Sequence, residues 1–97
     1  MAKIRVGVIG AGNFGELHVA VYKSLDDVEV VAISDPVEAR LAEVSQKYGK
    51  LDCYTDYREL CARKDIEMVS IATPESQHLE PVRAVAEAGK HILLEKP

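Results

Sequence analysis

The sequence predicts an α/β domain with a doubly wound parallel sheet, and three observations carry that expectation. Short apolar runs recur along the chain, IRVGVI, VEVVAIS and EMVSIA among them, as expected of strands buried on both faces. Stretches of helical periodicity separate these runs. A glycine-rich turn, GAGNFG, joins the first run directly to the first helical stretch. The 97 residues are read as one domain, residues 1–97, whose folding buries about two-thirds of the surface exposed by the unfolded chain.

The first strand covers Ile4–Ile9. Apolar positions Phe14, Leu17, Ala20, Val21 and Leu25 then recur at helical spacing and predict a helix ending near residues 24–27. Val28–Ser34 is the second strand. Asp35-Pro36 opens the next helix, with Ser34 or Asp35 as cap and Pro36 at the first helical position, where its missing N–H is harmless. That helix runs to about Tyr48 and stops at Gly49. A brief third strand at 52–54 fits the rhythm, and Asp56 caps a short helix through Arg63, with Glu59 at capping-box spacing. The fourth strand, 67–72, ends at Thr73-Pro74 because the residue before proline avoids helical geometry. Helix resumes over 75–88 with Leu79, Val82, Val85 and Ala86 as its apolar stripe, and Gly89 terminates it before a fifth strand at 91–95. Right-handed crossovers favour the strand order 3-2-1-4-5.

Composition narrows the function. Hydrophobic residues make up 47% and charged residues 29%, ordinary for a soluble globular domain and too apolar for a disordered one. A net charge of -4 with scattered basic residues argues against nucleic acid as a partner, since phosphate affinity needs clustered Lys and Arg. Cys53 and Cys61 lack a companion histidine cluster, so no metal site or redox pair is expected and both read as buried or partly buried free thiols. No apolar run reaches membrane-spanning length and the first residues lack a secretory signal, which gives the expectation of a cytoplasmic protein without membrane contact.

In a parallel sheet whatever follows each strand collects along one carboxyl edge, where open α/β sheets bind ligands. GAGNFG is GxGxxG. Gly10 permits the tight turn, Gly12 lets backbone approach a pyrophosphate, and Gly15 allows helix and strand to pack closely, with Ala11, Asn13 and Phe14 between them. The helix then offers its N-terminal N–H groups to phosphates. Asp35, twenty positions after Gly15 at the end of the second strand, can accept hydrogen bonds from both adenosine ribose hydroxyls and repel a 2′-phosphate. The fold is therefore Rossmann-like and the cofactor NAD, favoured over NADP, with Arg40, a turn into the next helix, as the residue that would reach a 2′-phosphate. A plain helix cap is the competing role for Asp35.

GAGNFG, the Asp35-Pro36 strand exit, ATPESQH at 72–78 and above all the terminal EKP resemble the glucose-fructose oxidoreductase, inositol dehydrogenase and MocA family over essentially the whole chain. The resemblance implies a two-domain, NAD(P)-dependent oxidoreductase acting on sugars, polyols and their derivatives, often as a dimer or tetramer. It implies that Lys96 matches the EKP lysine, positioning the substrate and assisting proton transfer as hydride moves to nicotinamide. Glu95 would lie beside the nicotinamide ribose. Thr73 and Pro74 would line the crevice, and His78 would either orient that loop or contact the cofactor. An ammonium at Lys96 is chemically apt, because it stabilises a developing alkoxide and burial beside a cationic nicotinamide lowers its pKa. His18 reads as a helix-face or core histidine, and His91 carries no functional signal.

Family members continue past EKP with a further helix, a sixth strand and a substrate domain. The chain is therefore expected to be a dinucleotide-binding domain truncated before the sixth strand, its C-terminal substrate domain absent, holding NAD without turnover. A complete NAD(H)-sensing module that regulates a partner is the rival from another class. A methyltransferase using S-adenosylmethionine is the more distant third. The reading frame downstream of Pro97 separates the first two, and titration with both ligands separates the third.

Overall fold

The computed structural model describes residues 3–49, 51–73 and 79–94. Five strands, β1 (Ile4–Ile9), β2 (Val28–Ser34), β3 (Asp52–Tyr54), β4 (Met68–Ile71) and β5 (His91–Leu94), form one sheet in the order β3-β2-β1-β4-β5. All four pairings are parallel. The helices are α1 (Asn13–Lys23), α2 (Glu38–Tyr48), α3 (Tyr57–Cys61) and α4 (Leu79–Glu87). The predicted class and strand order are those observed.

The sheet divides the core into two layers. Val6 and Val8 of β1 point to one side, where Val19 and Tyr22 of α1 and Leu41 and Val44 of α2 cover them. Ile9, Ala32, Val69 and Ile71 point to the other, against Leu60 of α3 and Val85 of α4. Alternation of side chains along each strand sends successive apolar residues to opposite layers, so a continuous apolar run is what a doubly covered strand requires. Packing fixes β1 at the centre, and with it the position of everything that follows Ile9.

Several local expectations are corrected. The apolar series on α1 is not its buried face: Leu17, Val21 and Leu25 are 55%, 48% and 46% exposed, while Val19 and Tyr22 are buried. The buried face begins with Gly15, two positions from Leu17, which turns Leu17 away by about 200°. No side chain caps α2, whose N-cap is Val37 rather than Ser34 or Asp35, and Pro36 precedes the helix. The cause is Asp35, whose carboxylate accepts the Val37 N–H at 2.8 Å and holds residues 35–37 in a turn.

Asp56 does cap α3, accepting the Arg58 N–H, but the helix ends at Cys61 rather than Arg63. Arg63 is drawn away by Asp65 and Asp52, each at 2.7 Å. On α4, Leu79 is 67% exposed and Ala86 lies at the surface, leaving Pro81 and Val85 as the buried positions. The predicted start of that helix at 75–78 and the end of the fifth strand at Glu95 lie outside the described residues. Cys61 is buried as expected, but Cys53 is exposed because β3 is the sheet's edge strand. Among the described residues no helix is long and apolar enough to cross a membrane, and no group of His, Cys, Asp and Glu side chains could hold a metal ion.

The amino edge of the sheet is tied by charge. Arg63 and Arg5 converge on Asp65, with Arg5 Nη1 at 3.1 Å, and Lys90 Nζ donates to the carbonyl of Ile66 at 2.8 Å. Hydrogen bonding from Arg63, reinforced by Arg5 and opposed by burial, holds the Asp65 carboxyl well below the usual carboxylate range. A carboxylate whose folded pKa is depressed contributes stability above its unfolded value of about 3.9, and that contribution fades as pH falls towards the folded value. Asp65→Asn should therefore lower the urea midpoint at pH 7, and the gap from wild type should close progressively below pH of about 4.

Candidate cofactor-binding site

The turn leaving β1 is dictated by two contacts that leave no room for a side chain. Gly10 has φ +105°, and its N–H donates to the Ser34 carbonyl at 2.7 Å. A Cβ on Gly10 would lie 3.0 Å from the Ala72 carbonyl carbon, so the turn rests directly on the exit of β4. At Gly15 a Cβ would fall 1.7 Å from the Gly10 carbonyl oxygen, well inside any permitted approach. Gly12, the N-cap of α1, is different: apart from its chain neighbours, no described residue lies within 4 Å of where its Cβ would be. Two glycines are thus explained by the protein itself, and the third faces open space. Among the described residues no side chain caps α1, which leaves its first N–H groups available at the helix start.

Asp35 is fixed beside this turn. Its Oδ2 accepts the Ala11 N–H at 2.8 Å, its Oδ1 accepts the Val37 N–H, and its own N–H donates to the Tyr54 carbonyl at 3.0 Å. Arg40 grips the same loop residue from the other side, with Nε donating to the Ala11 carbonyl at 3.0 Å. Behind it Glu16 receives Lys47 Nζ at 2.8 Å and the Tyr48 hydroxyl at 3.2 Å. The Lys47 hydrogen bond pulls the Glu16 carboxyl below its ordinary range, with Tyr48 and Arg40 adding to it and burial opposing, and Glu16 raises Lys47 in turn.

A cavity of about 460 Å³ opens at the carboxyl edge on the α3 and α4 side of the sheet. Gly10, Asp35 and Thr73 line it together, which joins the exits of β1, β2 and β4. Ile9, Pro36, Thr55, Tyr57, Leu79, Glu80 and Pro81 also line it, along with Ser34, whose buried hydroxyl has no hydrogen-bond partner among the described residues. Its volume falls in the range of small-molecule sites. Sequence reasoning missed Thr55, Tyr57, Leu79 and Pro81. The carboxyl-edge rule pointed to Thr55, the residue after β3, but that strand is too short to advertise its own end. Leu79 looked like core, and only its exposure shows that it is wall.

Of the other expected site residues, Ala11 and Gly12 are in the turn, and the backbones of Asn13 and Phe14 begin α1. The side chains of Asn13 and Phe14, and all of Pro74, His78, Glu95 and Lys96, lie outside the described residues. His18 faces inward from α1, with Nδ1 hydrogen-bonded to the Ser70 hydroxyl and its ring edge-on to Tyr22. His91 is an exposed residue at the start of β5.

A family model described as the Gfo/Idh/MocA oxidoreductase family, NAD-binding Rossmann fold, matches residues 4–97. The chain belongs to this family. A 4-carboxy-2-hydroxymuconate-6-semialdehyde dehydrogenase from a Sphingobium species is 40% identical over 94 residues, covering 97% of this chain and 30% of the relative. The crystal structure of scyllo-inositol dehydrogenase from Lactobacillus casei with NAD(H) and scyllo-inositol superposes with TM-score 0.89 at 27% identity, covering 98% of this chain and 28% of that one. A 3-ketoreductase variant from Actinomadura kijaniata, solved with TDP-benzene and NADP, gives TM-score 0.88 at 29% identity, covering 98% of this chain and 30% of that one. The chain thus spans under a third of the length of these relatives.

The two kinds of glycine separate experimentally. Gly15→Ala must push the Gly10 carbonyl aside and should cost about 3 kcal/mol in urea unfolding, whereas Gly12→Ala should stay within about 1 kcal/mol of wild type.

Proposed function

We propose that this Gfo/Idh/MocA domain holds NAD along its carboxyl edge. The pyrophosphate lies over Gly12 at the start of α1, and the adenosine occupies the cavity beside Asp35. The observation that carries this reading is the open direction at Gly12, next to a carboxylate already oriented by the Ala11 N–H. A glycine whose Cβ direction is open among the described residues, between two that are sterically constrained, fits close approach by an external group. Each Asp35 oxygen retains a lone pair after accepting one backbone N–H, so two ribose hydroxyls add to its bonds without displacing any.

NAD is favoured over NADP because a 2′-phosphate would meet the Asp35 carboxylate, and because Arg40, the nearby cation, already contacts Ala11 and Glu43. Thr73 supplies wall from the β4 exit, and Pro74, His78 and Glu95 extend the same crevice in this proposal. In the whole protein the nicotinamide supplies the hydride acceptor for oxidation of a hydroxyl on a sugar-like or polyol substrate. Lys96, as the neutral amine, takes the proton of that hydroxyl as hydride leaves the carbon, and becomes an ammonium. A cytoplasmic location and association of copies belong to the same proposal.

Calorimetric titration tests it. NAD should bind the wild-type chain, and Gly12→Val and Asp35→Ala should each weaken binding about tenfold or more, the loss expected for a blocked approach or a missing charge-assisted hydrogen bond. In the full-length protein Lys96→Ala should keep NAD affinity and lose turnover. Unchanged affinity in both binding variants would reject the site.

A further inference from the structure

We propose that Glu43, with Glu16 behind it, is a cofactor-specificity residue that acts through Arg40, by holding its guanidinium away from a dinucleotide 2′-phosphate. This rests on the reading that the ribose sits at Asp35. The geometry is a chain of direct contacts. Ala11 donates its N–H to Asp35 and accepts Arg40 Nε on its carbonyl, so the carboxylate and the guanidinium are separated by the backbone of one residue. Among the described residues Arg40 is therefore the cation best placed to meet a phosphate on that ribose, and its side chain is 30% exposed and within reach of solvent.

Two of its N–H donors are committed, Nε to Ala11 and Nη1 to Glu43, and two carboxylates flank the guanidinium. Nη1 bonds Glu43 Oε2 at 2.7 Å, and Nη2 lies 3.8 Å from Glu16 Oε1. Glu16 is itself anchored by Lys47 and Tyr48, which keeps a carboxylate on that flank of Arg40. A 2′-phosphate would have to compete with the Glu43 and Glu16 carboxylates for the guanidinium while also facing Asp35. NAD, with ribose hydroxyls only, leaves the pair intact. Asp35 sets the preference by direct repulsion, and Glu43 reinforces it by pairing with the arginine that would offset the repulsion. Glu43 is 62% exposed and touches no cavity wall, so its removal should change selectivity with little effect on the fold.

The test is calorimetric titration of NAD and of NADP into wild type, Glu43→Gln, Arg40→Gln and the Glu43→Gln/Arg40→Gln double variant, with melting of each protein measured without ligand. Glu43→Gln should tighten NADP binding about three- to tenfold, leave NAD within about twofold, and melt within about 4 °C of wild type. The double variant should lose the gain for NADP. An unchanged NADP constant in Glu43→Gln overturns the proposal. So does a gain that persists without Arg40, which would trace the effect to general negative charge. Failure of the wild type to bind NAD would reject the underlying site instead, so the two failures are distinguishable.

Discussion

The closest constraint in the molecule is the meeting of Gly15 with the Gly10 carbonyl, where a single methyl group would fall 1.7 Å from oxygen. That contact lets α1 begin directly at the tip of β1. It sets the direction in which the helix N-terminus points and brings Gly12 to open space at the carboxyl edge. Because β1 is the central strand, paired with β2 on one side and β4 on the other, the turn also falls between the exits of both neighbours. A fold with β1 at its edge would place the same six residues beside one neighbour only.

The turn is then held by polar contacts that cost little to form and align a great deal. Asp35 and Arg40, both from the segment after β2, bind the two peptide groups of Ala11. One carboxylate thus orients the loop, starts the turn before α2 and faces the cavity. A residue with that many backbone partners is pre-organised: its position is set by folding, before any ligand arrives. The same economy explains why Asp35 is not the cap of α2, since its oxygens already serve Val37 and Ala11.

The sheet, its order and the glycine turn were legible in the sequence because they rest on local patterns: continuous apolar runs, GxGxxG, and an acidic residue at a strand end. What escaped was anything set by which face of a helix meets the sheet. Leu17, Val21 and Leu25 have helical spacing but look outward, because α1 presses its glycine side to β1 and no periodicity marks a glycine as buried. Leu79 fitted an apolar stripe and is instead exposed cavity wall. Ser34 read as an optional cap, and its hydroxyl is buried without a partner beside the cavity. Thr55 and Tyr57 enter the site only because the short β3 delivers them there, a consequence of tertiary pairing with β2. The Asp65 cluster was invisible for a similar reason, since Arg5 and Asp65 are joined across the sheet's amino edge.

The central claim is that the chain binds a dinucleotide at the carboxyl edge, over the turn between Gly10 and Gly15. Amide chemical shifts recorded as NAD is added test it most directly. Saturable shifts are expected at Gly10, Ala11, Gly12 and Gly15, with Asp35 and Thr55 following. Arg63, Glu67, Gly89 and His91, at the opposite edge, should stay in place. Shifts concentrated at that opposite edge, or a glycine turn that does not respond to NAD, would contradict it.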